Sequence, residues 1–307
     1  MAPPSEAEVL ATFGRSVLLR LADGTLLQAR PFGRRLVIVC GDRVRFDTET
    51  HGDALVREVL PRRTALWRSN ARGDSELLAA NLDLLCIVLA PLPEPDFFVV
   101  DRYLSAARSA GLDAALILNK DDLPRTAAID AEMAHYASLG HPVLRVAARE
   151  ARGLEALEGV LANRTGALVG QSGVGKSSLI QRLTVDGDAA LTGALARDEE
   201  GRHTTTASRR YALRAGDGGL IDSPGVRDYA PSVDHLDPAA LGFLEVETAA
   251  PGCRFQDCRH LQEPQCAVRA AVEDGRIPAR RYESYRRLRR LFERLRDARH
   301  PAQRRRH

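Results

Sequence analysis

Two hydrophobic patterns divide the chain. Between residues 12 and 62, apolar and polar positions alternate in short stretches: SVLLRLADGTLLQA (16–29), RRLVIVCGDRVRF (34–46) and ALVREVL (54–60). Asp23-Gly24, Gly33, Gly41-Asp42 and His51-Gly52-Asp53 punctuate them as turns. Short alternating runs at this spacing predict the strands of a small β-barrel. From residue 82 the pattern changes to unbroken apolar runs: LDLLCIVLA (82–90), AALILN (114–119), HPVLRVA (141–147) and GALVG (166–170). Such runs fit parallel strands buried on both faces. Helical stretches lie between them. DRYLSAARSAG (101–111) ends in Gly111 at a C-cap position, and 177–183 continues a glycine-rich loop as a helix. After about residue 233 come a cysteine/histidine cluster and an arginine-rich end. There Tyr282, Tyr285, Leu288, Leu291, Phe292 and Leu295 recur at helical spacing. This predicts a helix with one docked face and outward arginines able to pair with phosphates.

Composition narrows the class. Over 307 residues, 44% are hydrophobic and 28% charged, as in an ordinary globular protein of two or three domains. No apolar run approaches the ~20 residues that span a bilayer. MAPPSEAEVL lacks the basic-then-apolar order of a secretory leader. No membrane role and a cytoplasmic, reducing setting are therefore expected, with the five cysteines outside disulfides and Cys40 and Cys86 in the core. A net charge of +3 excludes a wholly basic coat. In the barrel region, arginines 30, 34, 35, 43, 45, 57, 62 and 63 fit two readings equally. One is an OB-like barrel that binds RNA; the other is a solvated barrel surface. With no heptads or evident association face, a monomer is expected.

Only two of the 44 basic residues are lysines, Lys120 and Lys176, and both lie inside nucleotide-type motifs. Gly170-Gln171-Ser172-Gly173-Val174-Gly175-Lys176-Ser177 satisfies G-x-x-x-x-G-K-[ST] in full, with Ser178 next, between an apolar strand and a helix. The backbone N–H groups of such a loop wrap phosphates. Lys176 would reach the β- and γ-phosphates and Ser177 would ligate Mg²⁺. Asn119-Lys120-Asp121-Asp122 follows the strand AALIL. Asp122 could accept both N–H donors of guanine, whereas adenine presents the wrong edge. This favours GTP over ATP and argues against a P-loop kinase or ATPase. In Ile221-Asp222-Ser223-Pro224-Gly225, Asp222 suits Mg²⁺ or its waters and Gly225 could offer a backbone N–H to the γ-phosphate. In Gly201-Arg-His-Thr-Thr-Thr206, Thr205 is the candidate switch ligand of Mg²⁺. Val226 stands where many GTPases carry the water-orienting Gln, so intrinsic hydrolysis should be slow, and His203 is the candidate replacement. Cys253-x₄-Cys258-x-His260-x₅-Cys266 supplies four protein ligands, as in a closed structural zinc site.

The order of these motifs is reversed relative to ordinary GTPases: the base-reading loop precedes the phosphate loop. In this the chain resembles the circularly permuted GTPases. With the block NLDLLCIVLAPLPEPDFFVVDRYL, GQSGVGKSSL, GRHTTT and the cysteine/histidine end, it resembles specifically the RsgA family of small ribosomal subunit-dependent GTPases, over nearly its whole length. The resemblance implies a multidomain α/β protein. It would carry an N-terminal OB-fold RNA-binding barrel (1–65), a circularly permuted P-loop GTPase domain (66–232) and a small, mainly helical zinc-binding C-terminal domain (233–307). It implies GTP/GDP, Mg²⁺ and one structural Zn²⁺ as cofactors and the 30S subunit with its rRNA as partner, with hydrolysis stimulated by the subunit late in its assembly. The reading from another class, an RNA-binding module whose fold a nucleotide stabilises without useful turnover, stays open. One departure stands out: Val146-Ala147-Ala148 replaces the usual Ser-Ala pair near guanine, so a hydroxyl is missing. Both switch candidates lie just upstream of the last domain, so their release on loss of the γ-phosphate would reach it directly.

Overall fold

Alternation in the first sixty residues closes a barrel. The computed structural model describes residues 5–33, 35–48, 54–70, 74–185, 208–227, 229–236 and 241–299. Within it, β1 (Ser5–Phe13), β2 (Ser16–Arg20), β3 (Leu26–Pro31), β4 (Arg43–Thr48) and β5 (Ala54–Val59) pair in the circuit β1–β2–β3–β5–β4–β1. Period-2 side chains point inward, so Val9, Leu19, Val44 and Val56 are fully buried in one cluster. The first strand begins earlier than the alternation from residue 12 suggested. Glu6 and Glu8 mask its pattern, yet the alternate residues Ala7, Val9 and Ala11 are buried.

The stretch 36–40 departs from expectation more strongly: LVIVC is not a strand. Leu36 and Ile38 pack against the barrel core while Val37 is 62% exposed, and only Cys40 bridges, to Ala79. The segment is drawn toward the hairpin of β6 (Ala65–Ser69) and β7 (Ser75–Ala80) instead of pairing along its length. Of the barrel arginines, Arg43 and Arg45 pair with Glu6, Arg57 with Asp47, Arg62 with Asp42 and Arg63 with Asp83.

The apolar runs form the expected parallel sheet. Strands β8 (Leu84–Leu89), β9 (Asp113–Asn119), β10 (Val143–Val146) and β11 (Thr165–Val169) are joined by β12 (Ser208–Ala212) and β13 (Gly219–Asp222) in the order β10-β9-β8-β11-β13-β12. All pairs are parallel except β12 with β13. Both faces of β8 are buried: Leu85, Ile87 and Leu89 face one cluster, Leu84, Cys86 and Val88 the other. Each such side chain contributes about 1.5–3 kcal/mol. Helices α1 (Phe97–Ser109) and α2 (Ala127–Ser138) cover the first face; α3 (Leu154–Leu161) and α4 (Lys176–Leu183) cover the second. Asp96 caps α1 by accepting the Phe98 and Val99 N–H groups, and Gly111 follows its end at φ 68°. Strand β1 bulges between Val9 and Ala11; it stays paired with β2 on both sides of the bulge, but on its other edge β4 gives way to β12. One continuous sheet therefore runs through both units.

The C-terminal segment adds α5 (Pro224–Arg227), α6 (Leu244–Ala249), α7 (Ala267–Glu273) and α8 (Ala279–Arg299). Phe243, Val246, Val268, Tyr285 and Leu288 join the cluster that contains Tyr103 and Leu104 of α1. The last helix does not send all its arginines outward. Arg281 is 1% exposed; it forks onto Glu245 at 2.6 and 3.0 Å and also reaches Asp101. Arg280 spans Asp101 at 2.7 Å and Glu132 at 2.5 and 2.6 Å, and the Tyr136 hydroxyl donates to Asp101 at 2.6 Å. Two charges predicted to meet solvent instead bolt α8 to α1, α2 and α6, because three acids on those helices converge on them. Among the described residues no helix is long and apolar enough to cross a membrane.

Candidate functional site

The winding of the central sheet reverses between β8 and β11. Ligands of open α/β sheets sit beyond the carboxyl ends of the strands at such a reversal. Two loops meet there. Asn119 ends β9 and Lys120 turns the chain at φ 57°; Gly170 leaves β11 at φ 148°. The Asn119 side chain ties the loops together. Its Nδ2 donates to the Val174 carbonyl at 2.9 Å, and its Oδ1 accepts the Ala148 N–H at 3.2 Å. Gly175 makes the approach possible, since a Cβ there would lie 2.3 Å from Asn119 Nδ2. Gly170 is required for the same kind of reason, its Cβ position lying 2.2 Å from the Val88 carbonyl oxygen.

Between the loops lies a cavity of about 460 Å³, within the usual range for small-molecule sites. Asn119, Lys120, Asp122, Leu123, Ala148 and Arg149 line it from one loop set; Ser172, Gly173, Gly175, Lys176, Ser177 and Ser178 line it from the other, and Arg227 joins them. Lys176 is buried and its ammonium donates to the carbonyls of Gly170 and Gln171 at 2.7 and 2.9 Å, curling the loop around its own lysine. Lys120 donates to the Leu92 carbonyl at 2.8 Å. The remaining predicted residues fall outside the lining. Asp121 accepts Arg125 at 2.7 Å, Gln171 accepts the Asp96 N–H, and Val174 is buried in the core. Gly225 packs against Leu78 and Arg68 of the hairpin. Asp222, 6% exposed, accepts from both Nε and Nη2 of Arg227. His203 and Thr205 lie outside the described residues.

The comparisons with known proteins converge on this arrangement. The family model described as RsgA GTPase matches residues 59–231. A small ribosomal subunit biogenesis GTPase RsgA of Azotobacter vinelandii is 39% identical, covering 94% of this chain and 86% of its own. The protein of the same name from Pseudomonas fluorescens is 40% identical over 93% of the chain. The chain belongs to the RsgA GTPase family. Among solved structures, YjeQ from Thermotoga maritima superposes with a TM-score of 0.73 at 26% identity, covering 95% of this chain and 99% of that one. YloQ, described as a circularly permuted GTPase, shares the fold with a TM-score of 0.71. As an RsgA-family protein the chain is a GTP hydrolase, which accounts for the reversed motif order: β9 and β11 flank β8 in space whichever loop comes first. Ala147, which stands where the hydroxyl is missing in this RsgA-family chain, is buried, while its neighbour Ala148 lines the cavity and donates its N–H to Asn119.

The second cluster of chemistry shares no residue with the lining of this cavity. Cys253 follows a 3₁₀ turn, Cys266 caps α7, and His260 adopts φ 61° between them. The ligand atoms of Cys253, Cys258, His260 and Cys266 all lie within 4.8 Å of one another. The Sγ atoms of Cys253 and Cys266 are 3.9 Å apart, and His260 Nδ1 is 3.4 and 3.5 Å from them. Tetrahedral zinc with ordinary bond lengths needs sulfurs about 3.8 Å apart and sulfur–nitrogen distances of about 3.5 Å, so the donors fit that ion. Burial holds the His260 imidazole below its ordinary pKa, in the neutral form a metal requires. From α8, Tyr282 donates to the His260 carbonyl and Tyr285 to that of Arg259, fixing the loop. Burial opposes ionisation of Glu263, but backbone N–H groups of 259, 261 and 262 aimed at it bring its pKa down to about 2.

Sequence reasoning missed three features: the tying role of Asn119, the Asp101–Arg280–Arg281–Glu245 network, and Arg227. Only the last had a visible signal, since it sits five residues beyond Asp222 in a short helical turn.

Proposed function

We propose that this protein binds GTP in the cavity between the two loops and hydrolyses it to GDP while seated on the small ribosomal subunit, assisting late maturation and using hydrolysis to time its release. The observation that carries the reading is that Asp122 and Lys176 line one cavity although the chain supplies them in reversed order. Asn119, Lys120 and Asp122 would read the base, and Asp121 would shape their loop through Arg125. The loop from Gly170 through Ser178 would wrap the phosphates, with Lys176 turning from its own carbonyls onto them. Ser177 and Asp222 suit Mg²⁺, with Thr205 as third candidate; when bound, that ion would neutralise charge on the β- and γ-phosphates. Gly225 would back the phosphate end and His203 would orient the attacking water.

The partner reading rests on the names of the relatives and on charge. Beyond Arg280 and Arg281, α8 carries the exposed Arg287, Arg290 and Arg294, and these are the candidates for rRNA contact together with Arg30 and Arg35 of the barrel. Zinc at the Cys/His cluster, a monomeric state and a cytoplasmic location belong to the same reading. Comparing GTP turnover with and without purified 30S subunits tests it. Turnover should be slow alone and rise strongly on the subunit, whereas equal rates would remove the ribosomal part of the proposal.

A further inference from the structure

Arg227 holds a position that neither the motifs nor the family name accounts for. It ends the four-residue turn of α5, beside Val226, which is 1% exposed and apolar. Its guanidinium grips Asp222, the buried carboxylate suited to Mg²⁺, yet the same residue lines the cavity with Ser172, Lys176 and Ser177. The Arg227 side chain is 51% exposed, so its head can move by rotation about its own torsions. Asp222, by contrast, is fixed at the end of β13. A buried carboxylate needs one compensating cation, and two candidates cannot share it at full strength.

We propose that Arg227 is a catalytic arginine supplied in cis, held in reserve on Asp222 and released onto the γ-phosphate when Asp222 turns to Mg²⁺. The inference rests on the GTP reading of the cavity and adds a residue to it. In the reaction, the water oxygen bonds to the γ-phosphorus as the bond from that phosphorus to the β–γ bridging oxygen breaks. The electron pair leaves with GDP, and the protons of the water pass to phosphate and solvent. Arg227 donates hydrogen bonds to the non-bridging oxygens and gives up no proton, since a guanidinium stays charged. This supplies the charge stabilisation that other GTPases obtain from an arginine finger, beside a residue that cannot orient water.

Two properties of the full-length Arg227→Ala variant test this. Titrating Mg²⁺ into its complex with a non-hydrolysable fluorescent GTP analogue should give half-saturation at several-fold lower Mg²⁺ than in the wild type, because the rival cation is gone. Single-turnover GTP hydrolysis should fall about 100-fold or more, with nucleotide affinity retained. Arg227→Lys, which keeps the charge but loses the fork, should recover little of the rate. An arginine that only orders the loop around Asp222 would leave Mg²⁺ binding weaker when removed, and one that merely neutralises Asp222 would tighten Mg²⁺ binding with hydrolysis unchanged. An unchanged or raised Mg²⁺ requirement, or turnover within twofold of the wild type, overturns the proposal. Failure of the wild type itself to bind guanine nucleotides would instead sink the underlying site, and this inference with it.

Discussion

Asn119 shows how much one side chain carries. It closes two buried backbone groups, the Val174 carbonyl and the Ala148 N–H, that no neighbouring strand reaches. Truncation to alanine leaves both without that partner, at about 1–3 kcal/mol for each group. Asn119→Ala should therefore lower the thermal midpoint by several degrees and weaken GDP binding together, as scanning fluorimetry and a fluorescent-nucleotide titration would read. An unchanged midpoint would show that the carboxamide is not the tie described. At this scale the sequence was legible where a motif assigns chemistry: Asp122, Lys176 and Ser177 were named from spacing and share one cavity. It was opaque where a residue acts on distant backbone. Asn119 spelled a base-reading motif, and nothing in the spelling said that it would reach across to Val174.

The elements repeat the lesson. Unbroken apolar runs marked the four parallel strands because burial on both faces leaves no room for alternation. The strand β1 and the unpaired 36–39 stretch were misread, since pairing depends on partners far along the chain. Helix α8 was recognised, but its arginines were given one fate. Arg280 and Arg281 stand beside solvent-facing arginines in sequence, and only the packing of α1, α2 and α6 reveals the acids waiting for them. Removing a buried partner leaves its counter-charges stranded, at a cost of about 3–5 kcal/mol. Arg281→Ala should loosen α8 from α1, seen as faster hydrogen exchange in 279–294 and a lower urea midpoint. Arg290→Ala, a solvent-facing change on the same helix, should leave both near wild type. Equal behaviour of the two variants would refute the bolt.

For the whole molecule, the Cys/His cluster and the sheet define what holds together. The loop around Cys253, Cys258, His260 and Cys266 packs little apolar mass of its own, so zinc would supply folding free energy there. Elemental analysis should find one zinc per chain, and chelation should lower the thermal midpoint without abolishing GTP binding at the cavity, whose lining shares no residue with the cluster. Metal-free protein with an unaltered midpoint would contradict this. The architecture was readable at this scale chiefly through resemblance, because the circular order of the motifs makes sense only when β9, β8 and β11 are seen side by side.

One rung of the long sheet links grip to chemistry. Ala11 of the barrel stands opposite Arg209, and Arg209 stands opposite Asp222. A tug on the barrel by whatever holds it would thus arrive at the carboxylate that restrains Arg227 after crossing two inter-strand gaps, about 10 Å. Anchorage and trigger lie along a single crossbar, and the bulge beside Ala11 is the joint at its barrel end.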